Sequence, residues 1–94
     1  MKTKSTKIPS PLATTLLRAD RAMGRIYCLI ELRIFESTVY CISITEGEEF
    51  KAELVGHDPS DAQKLFDTLY DEGVPPYHLF DIISDLKRES LAKN

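Results

Sequence analysis

The sequence predicts an α+β domain: a three-stranded antiparallel β-meander with two C-terminal helices packed on one face, preceded by an N-terminal helix or extra strand. Two observations predict it. Between residues 25 and 55, the segments RIYCLIELRI, TVYCISI and EFKAELV alternate in hydropathy with period two. After Val55 the period lengthens to three and four, in two stretches each introduced by proline. The first pattern gives strands with two distinct faces, the second amphipathic helices.

Residues 1–10 are basic and rich in hydroxyl groups, and read as a disordered arm ahead of a single domain spanning residues 11–94. Ser10 and Pro11 suit a helix start, and Leu12, Leu16, Ala19 and Met23 recur at helical spacing before Gly24. This favours a helix over residues 11–23. The alternative is a strand through residues 13–17, where two threonines and two leucines suit a sheet.

In the three strands the even-numbered side chains are expected to face inward: Cys28, Ile30, Leu32 and Ile34, then Tyr40, Ile42 and Ile44, then Phe50, Ala52 and Leu54. Directly opposed residues in a hairpin share a face. Three-residue loops, Phe35-Glu36-Ser37 and Thr45-Glu46-Gly47, bring all of these to one side. They set Ile30 beside Ile42 and Ile42 beside Phe50, and place Gly47 where a left-handed residue is wanted.

Asp58 is an N-cap followed by Pro59 at the first helical position. The helix runs to about Glu72, with Ala62, Leu65, Phe66, Leu69 and Tyr70 on one face, and Gly73 ends it. Pro76 opens the second helix, with Leu79, Ile82, Ile83 and Leu86 as its stripe. The short connection between the helices makes them neighbours.

The 94 residues carry a net charge of −3, unevenly spread. Residues 1–33 hold seven Lys or Arg and two acids (+5), and residues 34–94 hold five and thirteen (−8). A basic arm on an acidic body suggests nucleic-acid contact, but no nucleic-acid motif accompanies it, and the bland alternative is a solvated tail. No secretory signal or membrane-length run is present, so a cytoplasmic protein with reduced thiols is expected. By the even-inward register, Cys28 and Cys41 lie on opposite faces and do not bridge.

No phosphate loop, CxxC or nucleophile motif occurs. His78, with Asp81 three residues on and Asp85 seven on, lies at a spacing that suits a ridge for a His–Asp pair or metal site. A metal centre needs further ligands, so a locally satisfied helix-start histidine is the preferred reading. No catalytic residue, metal or cofactor is expected. Tyr27, Leu29, Val39 and Cys41 are apolar among charges on what the register makes the sheet's second face. That patch suits the first helix or a second copy of the chain. The acidic stretch 46–53 reads as a solvated edge strand.

The residues Val74, Pro76, His78, Leu79, Asp81, Ile82, Ile83, Asp85 and Leu86, with the strand Val39-Tyr40-Cys41-Ile42-Ser43-Ile44, resemble a small uncharacterised bacterial family, in which Gly often stands at the position of Cys41. The resemblance spans residues 26–86. It implies cytosolic proteins of mostly Gram-positive anaerobes and carries over no catalytic residue. The function expected is a cytoplasmic protein-interaction module without catalysis, self-associating or bound to another protein. The alternatives are a nucleic-acid accessory protein using the arm, or a metal-binding or enzymatic domain built on His78.

Overall fold

Four antiparallel strands follow one another in chain order across a single sheet: β1 (Ala13–Ala22), β2 (Arg25–Ile34), β3 (Ser37–Glu46) and β4 (Glu49–Gly56). Helix α1 (Pro59–Asp71), a 3-10 turn (Pro76–His78) and helix α2 (Leu79–Ala92) complete the chain. This is a computed structural model, and it describes residues 13–92, with side chains through residue 86. The arm expected over residues 1–10 lies outside the described residues.

The meander has one strand more than the three expected. Residues 13–22 form β1, the strand alternative, and not a helix. An isolated helix of that length is marginal in water. Pairing with β2 instead satisfies the backbone along nearly the whole segment, from Ala13 opposite Arg33 to Ala22 opposite Arg25. The 3–4 spacing that imitated a helix is absorbed by a bulge between Leu16 and Arg18.

All three hairpins close on two residues. Ala22 pairs with Arg25, Ile34 with Ser37, and Glu46 with Glu49. Met23 and Gly24 both take positive φ (54° and 75°), as the tightest hairpin turn requires. In the others only the first loop residue does, Phe35 at 56° and Gly47 at 61°. Phe35 therefore holds a position glycine fills at little cost. The left-handed conformation costs a side-chain-bearing residue about 1–2 kcal/mol. Phe35→Gly is expected to raise stability by about 1 kcal/mol after glycine's larger unfolded-state entropy is subtracted, a gain of several degrees in a thermal melt. An unchanged or lower melting temperature would show that the Phe35 ring holds the turn by contacts of its own.

Two-residue loops shift the β2–β3 pairing by one residue and the β3–β4 pairing by three relative to the expected register, and each odd shift reverses the faces. Tyr27 pairs with Ile44 and Leu29 with Ile42, so the odd residues of β2 join the even residues of β3 under the helices. On β4 the partners of Ile42 and Ile44 are Glu53 and Lys51, not Phe50 and Ala52. Charges are tolerated there because β4 is an edge strand, where a long side chain reaches water from either face.

The core lies between this face and the helices. Tyr27, Leu29, Tyr40, Ile42, Ile44 and Val55 of the sheet meet Ala62, Phe66, Leu69, Val74, Leu79 and Ile83. On α2 the deepest residues are Leu79 and Ile83, while Ile82 is half-buried at the margin. The start of α1 is as expected: the Asp58 side chain accepts from the Ser60 N–H at 3.0 Å, and proline occupies the first turn. Gly73, at φ 63°, turns the chain out of α1.

Polar contacts fasten the helices to the first hairpin. The Tyr27 hydroxyl, wholly buried, donates to the Val74 carbonyl at 3.0 Å, and Arg25 donates to the Gly73 carbonyl at 3.0 Å. The Tyr70 hydroxyl donates to the Arg21 carbonyl at 3.1 Å. Arg18 reaches from β1 to Asp67 of α1 at 2.8 Å, pairs with Asp20 at 2.8 Å, and lies 4.5 Å above the Phe66 ring. These contacts all lie on the face that the helices cover.

Candidate interaction surface

The register fixes the rows that cross the second face, since paired residues share a side and successive residues alternate. One row is Leu16, Ile30, Cys41 and Leu54; the next is Ala19, Cys28, Ser43 and Ala52; a third is Arg21, Ile26, Thr45 and Phe50. Thr14, Leu32 and Val39 form a partial fourth. Both helices pack on the opposite side, so no described element lies over these rows. Leu16, Phe50 and Leu54 are 59%, 61% and 43% exposed. In the sheet's middle, Val39 and Ser43 are buried, and Cys28, Ile30, Leu32 and Cys41 are half-buried between their neighbours.

This surface is chemically plain. Of the fifteen residues in the four rows only Arg21 is charged, and it stands at a corner, on the edge strand beside the first hairpin. Contiguous apolar area of this extent on a small soluble domain marks a contact surface more often than not. Six of the fifteen, Cys28, Ile30, Leu32, Phe50, Ala52 and Leu54, are side chains expected to form the core. Period-two alternation found the even sets of β2 and β4, which do share a face, but joined them to the even set of β3, which lies on the other side.

The residues nominated from sequence divide accordingly. Tyr27 and Leu29 are 0% and 2% exposed and lie in the core, so the patch expected from them is not a surface. Val39 and Cys41 do lie on the second face. Cys28 joins Cys41 there, diagonal to it across the β2–β3 pair, which corrects the expectation of opposite faces. Both thiols are free. A diagonal Cα spacing of about 7–8 Å exceeds what a relaxed disulfide spans. Burial pushes the Cys41 thiol above its ordinary pKa, so it is a poorer nucleophile than an exposed cysteine.

His78 closes the 3-10 turn, exposed, with its ring 4.6 Å from that of Tyr77 and its backbone N–H donating to the Pro75 carbonyl at 3.1 Å. Asp81 is exposed one turn on, and Asp85 has a partner of its own. His57 hydrogen-bonds the Thr38 carbonyl through Nδ1 at 2.7 Å, tying the end of β4 to the start of β3. Among the described residues no group of three or more His, Cys, Asp or Glu is placed to hold a metal ion. No described helix is long and apolar enough to cross a membrane.

A family model described as a family of unknown function, DUF6514, matches residues 7–89. The chain belongs to DUF6514. No curated protein and no solved structure matches it. The DUF6514 match takes in β1, which the resemblance read from sequence had left out. Within this DUF6514 domain, Val74, Pro76, Leu79 and Ile83 are buried, so their spacing is accounted for by packing of the α1–α2 connection and α2 on the sheet.

Proposed function

We propose that this domain is a cytoplasmic protein-interaction module without catalysis, and that it docks through the open face of its sheet. The observation that carries the reading is the row structure of that face: apolar across four strands, with one charge at its corner. The polar side chains elsewhere support it. Arg18, Arg25, Tyr27, Tyr70 and His57 are each engaged in holding the fold. Arg18 and Arg25, two of the bases that make the first third of the chain positive, are tied to carboxylates, which weighs against their reading a nucleic-acid backbone.

The test is co-purification from native cytoplasm, comparing the intact chain with Leu16→Glu/Leu54→Glu. Both leucines are exposed, so the variant is expected to fold. The intact chain should carry a stoichiometric protein, another copy or a different species, that the folded variant lacks. Identical recoveries from the two would remove the open face as a docking surface.

A further inference from the structure

We infer that the occupant of the open face is a second copy of this chain, stacked face to face as a β-sandwich about a two-fold axis lying between the sheets. The inference rests on the interaction reading and names its partner.

Area is the first argument. Four strands spaced about 4.8 Å apart, each rising about 3.3 Å per residue over roughly eight residues, present about 500 Å² per copy. Two copies then bury about 1,000 Å², the level at which specific interfaces separate from incidental contacts. Residues 1–12, which precede β1, offer only Met1, Ile8 and Leu12 as large apolar side chains beside three lysines. They are too sparse to cover Leu16, Ile30, Leu32, Phe50 and Leu54 together.

Charge is the second argument. A surface reading a basic or acidic partner would carry the opposite sign, yet among the described residues no acid stands in these rows. An uncharged sheet face is complementary to another of its kind, and aligned packing at about −30° is how two such faces interdigitate. A two-fold parallel to the strands runs each row against itself in reverse. Leu16 then meets Leu54 of the partner subunit. Arg21, at one end of its row, falls over Phe50 of the partner subunit at the other end, so the face's one charge lies at the rim against an aromatic ring. The acidic β4 edge and the helices stay outside the contact.

The experiment is sedimentation velocity on the full chain over a dilution series, with alkylation of Cys28 and Cys41 by N-ethylmaleimide as a second readout. A particle of twice the chain mass is expected at high micromolar concentration. Both thiols should be protected there and become reactive on dilution, which a monomer cannot reproduce. Leu16→Glu/Leu54→Glu should weaken the dimer on the order of a hundredfold or more while circular dichroism stays unchanged, and Phe50→Ser provides a milder variant if the double one fails to fold. Deleting residues 2–10 should leave the dimer intact. A chain that is monomeric throughout with thiols reactive at every concentration overturns the inference, as does a monomer that dimerises only after the deletion. Neither result removes the interaction reading, which fails only if co-purification is insensitive to the face.

Discussion

Ile42→Asp is expected to leave the chain without a cooperative unfolding transition at 25 °C, whereas Phe50→Asp should fold. Ile42 is 0% exposed, between Leu29 and Glu53 on the covered face. Its replacement forfeits about 1.5–3 kcal/mol of burial. It also places a carboxylate beneath α1 with no cation opposite, costing several kcal/mol more or forcing the acid to protonate. Domains of this size hold about 5–15 kcal/mol in all. Phe50 is 61% exposed on the other face, and its loss is expected to cost under about 1 kcal/mol at dilutions where copies are separate. Urea unfolding followed by circular dichroism measures both. Comparable losses from the two would mean that Ile42 and Phe50 share a face after all, and the register described above would be wrong.

Phe66→Ala should be the costliest simple truncation, lowering stability by about 3–5 kcal/mol. Phe66 is 0% exposed and sits in α1 over the centre of the sheet. Its ring stacks on Tyr70 at 6.4 Å and 8°, and carries the Arg18 guanidinium at 4.5 Å. Alanine leaves a cavity that β2 and β3 cannot close, because their backbones are fixed on both sides by pairing. It also removes the platform that holds Arg18 toward Asp67. The midpoint in urea should fall with the slope nearly unchanged, since the unfolded surface hardly differs. A loss under about 1 kcal/mol would mean that α1 is not seated on the sheet as described.

Much of the fold was legible residue by residue. The strand boundaries at Arg25 and Ile34 and the beginning of β4 at Glu49 coincide with those read from alternation. Asp58, Pro59 and Gly73 bound α1 through local backbone chemistry, which needs no knowledge of the rest of the chain. What failed was parity. Both sides of β2 carry large apolar residues, Tyr27 and Leu29 on one and Cys28, Ile30 and Leu32 on the other, so its alternation ranks the faces weakly. The ranking was taken from charge on the odd positions, Arg25, Glu31 and Arg33 of β2 and Glu49, Lys51 and Glu53 of β4. On an edge strand that cue is weak, because charge on either face stays hydrated. The candidate surface was missed for the same reason: its β2 and β4 members were assigned to the core, and its β3 members Val39 and Cys41 to a patch with Tyr27 and Leu29.

The sequence alone determined that three strands and two helices follow from Arg25 onward, and which side chains alternate within each strand, because these follow from backbone preference and a period of two. Only the tertiary structure decided that residues 13–22 are a strand and which side the helices cover. Both depend on partners distant in the chain: the unpaired edge of β2 draws in β1, and the pocket under α1 admits Tyr27, whose hydroxyl reaches the Val74 carbonyl. Those contacts turned the even-numbered rows of β2 and β4 outward, from where the core was expected to the surface on which a partner is proposed to sit.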